Sequence, residues 1–152
     1  MLQAMDAVEG ASVVDLFAGS GALGIEALSR GAEACTFVDD DRAAVAAVRA
    51  NLEALGDDFT TRSTAVQSDA LRFVSSMPPC DVLFADPPYA FDAWTDLLAR
   101  AAAKAQLLVA ETGSSFEPGP DWQTVKVKTY GGTVVTVARP ERVRGTTRPG
   151  AI

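Results

Sequence analysis

Residues Ser12-Val13-Val14-Asp15-Leu16 form an apolar run that passes through Phe17-Ala18-Gly19-Ser20-Gly21 straight into a helical pattern beginning at Ala22. A strand joined to a helix by so short a turn places its next strand back alongside in parallel, by a right-handed crossover. The unit then recurs. Ala34–Val38 reads as a second strand, and Arg42–Leu55 as an Ala-rich helix with Val45, Val48, Leu52 and Leu55 along one face. Gly31 and Gly56 suit the positions that close the first two helices. A weaker strand over Thr61–Val66 precedes a short helix over Ala70–Ser76. Asp81–Ala85, a helix over Phe91–Ala103 and Gln106–Ala110 follow. Thr124–Tyr130 and Thr133–Ala138 alternate around Gly131-Gly132, a two-residue hairpin signal. The fold class predicted is α/β, a doubly wound, mostly parallel sheet covered on both faces with an antiparallel C-terminal strand.

With 152 residues the chain has the size of one domain. Residues 1–139 are predicted to form it, and 140–152 a basic, flexible tail. The first 138 residues hold nine Lys/Arg against nineteen Asp/Glu, whereas the last fourteen hold four Arg against Glu141 alone. A solvated tail explains that asymmetry without any function; a contact to RNA is the sharper reading. No stretch is apolar for the ~20 residues that span a bilayer, and the first residues carry no secretory signal. A soluble, cytoplasmic monomer is expected. Cys35 and Cys80 are too few for a disulfide framework and read as buried thiols. Histidine is absent altogether. That removes the commonest general base and zinc ligand, so chemistry without a metal is expected, run on carboxylates, backbone groups or a reactive cofactor.

Gly19-Ser20-Gly21-Ala22-Leu23-Gly24 fits the dinucleotide pattern G-x-G-x-x-G, and Asp39 lies 20 residues beyond Gly19, where a ribose-binding acid belongs. An NAD(P)-binding oxidoreductase is therefore one reading. Asp15 argues for another. A carboxylate just upstream of the turn repels a pyrophosphate but suits the cationic amino-acid end of S-adenosyl-L-methionine. Asp39 accepts ribose hydroxyls in either case, and Ser68-Asp69-Ala70 is placed to border an adenine. Asp69 equally reads as a helix N-cap. The cofactor contacts predicted are Asp15, Phe17, Gly19, Gly21, Asp39, Asp69 and Ala70.

Asp86-Pro87-Pro88-Tyr89 follows the fourth strand, at the same carboxyl edge. Two prolines remove two backbone donors and leave carbonyls free. An exocyclic amino nitrogen of a base is a poor nucleophile, its lone pair being delocalised into the ring. The Asp86 carboxylate and the Pro87 carbonyl can each take one amino hydrogen, aim the lone pair at a sulfonium methyl and favour the charge that develops. Tyr89 offers a stacking face. The blander reading is that Pro-Pro ends a strand and Tyr89 packs in the core. Asp86, Pro87 and Tyr89 are the catalytic candidates. Cytosine C5 methylation would need a cysteine nucleophile. Cys80 fails that need, since it precedes the fourth strand and so lies at the opposite edge from Asp86.

The run from Asp15 to Ala32, DLFAGSGALGIEALSRGA, together with Asp86-Pro87-Pro88-Tyr89, resembles the RsmD family of bacterial methyltransferases, which act on guanine N2 of 16S ribosomal RNA. The resemblance covers about residues 1–139. It implies a seven-stranded class I methyltransferase sheet, with Asp15, Gly19 and Gly21 lining S-adenosyl-L-methionine, Asp39 on the ribose, Asp69 at the adenine, and Asp86 with Tyr89 at the target base. It also implies ribosomal RNA or the small ribosomal subunit as partner. Adenine N6 in DNA or RNA is the alternative target, since the tetrapeptide serves both. Family members usually have Glu where Asp39 stands, which keeps the carboxylate. They also carry a basic, Arg- and Gly-rich extension ahead of the first strand, whereas here about a dozen residues precede it. The expectation is a truncated or mis-started sequence, or RNA held by the Arg-rich tail. A cofactor-binding but catalytically silent module is a third reading.

Overall fold

A computed structural model describes residues 4–88 and 91–141. The Arg-rich segment from residue 142 onward and Tyr89 lie outside the described residues. A short 3-10 turn, Ala4–Ala7, precedes β1 (Ser12–Leu16), α1 (Ala22–Ser29), β2 (Ala34–Asp39), α2 (Arg42–Leu55), α3 (Asp57–Thr61) and β3 (Ser63–Gln67). Then come α4 (Ala70–Ser76), β4 (Cys80–Ala85), α5 (Trp94–Ala101), β5 (Ala105–Thr112), β6 (Trp122–Tyr130) and β7 (Thr133–Pro140). The seven strands form one sheet in the order β3-β2-β1-β4-β5-β7-β6. Strands β1 to β5 pair in parallel, and β7 is antiparallel to both β5 and β6. The mostly parallel doubly wound sheet with an antiparallel C-terminal strand is as the sequence predicts.

The period of two along each strand divides the core between the two faces. Val13, Phe37, Phe84 and Val109 pack beneath α1 and α2, which contribute Leu28, Val48 and Leu52. Their neighbours in sequence, Val14, Val38, Leu83 and Leu108, pack beneath α4 and α5, which contribute Val74, Leu97 and Ala101. Residues that sit on a doubly covered sheet must be apolar at every position, which is why these strands read as continuous apolar runs. Among the described residues no helix is long and apolar enough to cross a membrane.

Two elements differ from expectation. The third strand starts at Ser63, because residues 57–61 form the short helix α3. Gly56, at φ 105°, ends α2, and Asp57 and Asp58 open α3 where a helix favours negative charge. Arg62 then ties the segment down, donating to the Asp58 carboxylate and to the carbonyls of Leu28, in the last turn of α1, and Ala32, just beyond it. Five residues are too few for periodicity to reveal. The fifth helix starts at Trp94 instead of Phe91: the Phe91 N–H closes a turn on the Pro88 carbonyl at 2.9 Å, and its ring is spent on the cleft described next.

Candidate active site

The register brings the ends of β1, β2, β4 and β5 level: Leu16 lies beside Val38 and Ala85, and Ala85 beside Ala110. Between β1 and β4 the chain reverses its direction of winding, and a crevice opens there above the carboxyl ends. Phe17 begins the turn at φ 59°, a left-handed conformation that a bulky side chain rarely adopts. The surroundings hold it: the Ala18 N–H donates to the Val38 carbonyl at 3.0 Å, and the Phe17 ring meets Phe91 edge-on at 5.0 Å. Gly19 and Gly21 take φ 57° and 87°. Gly24 has another role, since a Cβ there would lie 2.3 Å from the Phe37 ring and 2.8 Å from the Cys35 Sγ. It lets α1 lie directly on β2.

Asp15 is sealed within the protein. It is 1% exposed, and its Oδ2 accepts from the Gly24 N–H at 3.0 Å. The carboxyl thus lies beneath the glycine turn, covered by it. From within the protein it supplies the acceptor that Gly21, at the N-cap, does not. Burial pushes its carboxyl up to about 7, against the pull of the Gly24 N–H, with the charges of Asp86 and Asp39 pushing the same way. Gly21 likewise faces inward, where a Cβ would lie 3.2 Å from Phe37 and Val48. The Gly19 N–H is taken by Asp39 Oδ2 at 2.9 Å, so it is not free for a ligand. Asp39 Oδ1 accepts from the Asp41 N–H at 3.0 Å. Each Asp39 oxygen thus keeps a second lone pair, and these can receive two hydroxyls. Asp69 is the N-cap of α4, accepting from the Arg72 N–H through Oδ2, which leaves Oδ1 open.

A cleft of about 360 Å³ is lined by Phe17, Asp39, Asp69, Ala70, Asp86 and Phe91 among others. A second, of about 540 Å³, is lined by Asp86, Pro87, Trp94, Glu111, Ser114 and Phe116 among others. Asp86, Pro88 and Phe91 belong to both. Asp86 therefore stands on the boundary between the two spaces, and partial burial raises its carboxyl above the usual range. The structure brings five of the predicted residues together at the first cleft and adds Pro87 to the second; Tyr89, the remaining catalytic candidate, lies outside the described residues.

The wall between the clefts was not foreseen. Phe17, Phe91, Trp94 and Phe116 form a ladder of ring contacts at 5.0, 5.4 and 4.7 Å. Glu111, also missed, comes just after the apolar run of the fifth strand, the same strand-end signal that singled out Asp86. Cys80 opens β4, at the far end from Asp86, and burial with the nearby Asp81 charge pushes its thiol up to about 12. A thiol so placed is a poor nucleophile.

YlbH of Bacillus subtilis is 44% identical to the chain over 85 residues, 53% of this chain and 45% of YlbH. Ribosomal RNA small subunit methyltransferase D of Haemophilus influenzae is 40% identical over 81 residues, 52% of this chain and 42% of that protein. The matches thus span under half the length of these curated relatives. Among solved structures, a conserved hypothetical protein of Streptococcus pyogenes superposes with a TM-score of 0.78 at 33% identity, covering 88% of each chain. The family model described as conserved hypothetical protein 95 matches residues 1–139, in keeping with the resemblance carried by the glycine turn and Asp86-Pro87-Pro88-Tyr89, and the chain belongs to that family.

Proposed function

We propose that the chain is an S-adenosylmethionine-dependent methyltransferase acting on an exocyclic amino nitrogen of a base, guanine N2 of small-subunit ribosomal RNA. The position of Asp86 on the boundary of two clefts carries this reading. A methyl transfer needs a donor space and an acceptor space that meet at the reacting atoms, and a carboxylate between them can act on whatever lies across the boundary. The name of the Haemophilus influenzae relative supports ribosomal RNA as the substrate.

The residues of the smaller cleft fit the cofactor. Asp39 retains a lone pair on each oxygen for the ribose hydroxyls, Asp69 lines the same space and could accept from an adenine amino group, and Phe17 with Ala70 supplies apolar walls. When bound, S-adenosylmethionine supplies an electrophilic methyl on a sulfonium sulfur. Asp15 sits beneath the turn as a buried carboxyl raised to about 7, and its ionised form favours a cationic ligand above it. Across the boundary, the Asp86 carboxylate and the Pro87 carbonyl accept the two amino hydrogens and aim the nitrogen lone pair toward the smaller cleft. When the nitrogen gains a methyl and sheds a proton, Asp86 would be the group that takes that proton. A carboxyl raised by partial burial is better matched to that role than an exposed one. Tyr89 is assigned the stacking face from the sequence.

A dinucleotide reading is less well supported. The Gly24 N–H that would meet a pyrophosphate is occupied by Asp15, and that of Gly19 by Asp39. The test is Asp86→Ala with undermethylated small-subunit particles and labelled cofactor. Transfer is expected to fall by at least ~10²-fold, with cofactor affinity by calorimetry unchanged. Loss of both together contradicts the role given to Asp86.

A further inference from the structure

The larger cleft holds a second carboxylate that the reaction above does not use. Glu111 is the next-to-last residue of β5 and is partly buried. Because β4 and β5 pair in parallel with Ala85 beside Ala110, one further step sets Asp86 and Glu111 next to each other at the strand ends. Both line the same space. Burial raises the Glu111 carboxyl, and the charge of Asp86 raises it further. None of the described residues lining the cleft is a Lys or Arg; its hydroxyls are neutral donors, of which that of Thr112 is spent on the Ser114 carbonyl at 2.7 Å, while Ser114, Ser115 and Thr133 can turn theirs to donate or accept. On the Asp86 side of the cleft, two carboxylates and a proline carbonyl make a wall of acceptors.

Such a wall matches a ligand edge that offers donors in a row. Guanine presents three, the N1–H and the two hydrogens of the 2-amino group. Adenine and cytosine set a bare ring nitrogen beside their amino groups, and its lone pair would face a carboxylate. We infer that Glu111 reads the target base: it accepts the guanine N1–H while Asp86 and Pro87 hold the 2-amino group, and so it admits guanine and turns adenine away. The assignment rests on the amino-directed methyl transfer proposed above and names the residue that selects its substrate.

The base 2-aminopurine tests it, because it keeps the 2-amino group but has no N1–H. Undermethylated small-subunit particles, carrying either guanosine or 2-aminopurine at the target position mapped by mass spectrometry, are compared with wild type, Glu111→Ala and Glu111→Gln. Wild type is expected to favour guanosine by about 10- to 100-fold in kcat/KM, the scale of discrimination that hydrogen bonds to a base edge supply. In Glu111→Ala the guanosine rate falls while the 2-aminopurine rate holds, so the ratio approaches one. Glu111→Gln keeps the size and loses the charge, and falls between. An unchanged ratio in both variants, or equal losses on both bases, overturns the assignment. Nucleoside analysis of the wild-type product separates the two levels. N2-methylguanosine with an unchanged ratio removes Glu111 alone, whereas no N2-methylguanosine removes the methylation reading and Glu111 with it.

Discussion

Asp15 shows how burial sets the charge of a side chain at the floor of a turn. Its carboxyl is sealed beneath the glycine turn, bonded to Gly24 N–H and raised to about 7 by burial. Because the folded protein holds that proton more tightly than the unfolded chain, stability is greatest at low pH. It is lost as pH rises from the ordinary aspartate range, near 4, through about 7, and is level above. The slope from one such group is at most about 1.4 kcal/mol per pH unit. Asp15→Asn keeps an acceptor for Gly24 and carries no charge. It is expected to gain stability over wild type between pH 4.5 and 8, measured by denaturant melts at both values; a constant difference would remove the titration from Asp15. Gly24 is constrained by space. A methyl there would meet the Phe37 ring and the Cys35 sulfur inside contact distance, so Gly24→Ala is expected to destabilise by roughly 1–3 kcal/mol in the same melts.

Helix ends and strand ends carry the design at the level of elements. α1 closes with Gly31 at φ 98°, the Gly31 N–H on the Leu28 carbonyl and the Ala32 N–H on the Ala27 carbonyl, a doubly bonded left-handed cap. That closure and the end of α2 were legible because Gly31 and Gly56 are local signals. The start of α5 was not. The apolar residues from Phe91 onward continue a helical pattern, but the Phe91 and Trp94 rings are drawn into the cleft wall. At its other end, α5 is held by Trp122, which opens β6, is 4% exposed and donates its indole N–H to the Leu98 carbonyl at 2.9 Å. Trp122→Phe retains most of the buried ring and loses that bond, for an expected loss of about 1 kcal/mol. A variant as stable as wild type in thermal melts would show that packing alone places β6.

Over the whole molecule, parallel pairing gathers carboxylates from four strand ends onto one edge: Asp15, Asp39, Asp86 and Glu111. A cleft edged in this way favours a sulfonium with an ammonium group over an anionic pyrophosphate. S-adenosylmethionine is therefore expected to bind at micromolar concentrations in calorimetry where NADH gives no heat; the reverse order would overturn the cofactor assignment. The sequence alone determined most of the elements, the sheet class and the two motifs, because apolar runs, helical spacing, glycines and prolines act over a few residues; α3 and the start of α5 lay beyond it. Tertiary structure alone decided that β7 lies between β5 and β6, that Asp15 is sealed while Asp86 faces two clefts, and that Glu111 stands beside Asp86. Each of these depends on which strands become neighbours and how deeply a side chain is covered, and both are set by contacts between residues far apart in the chain.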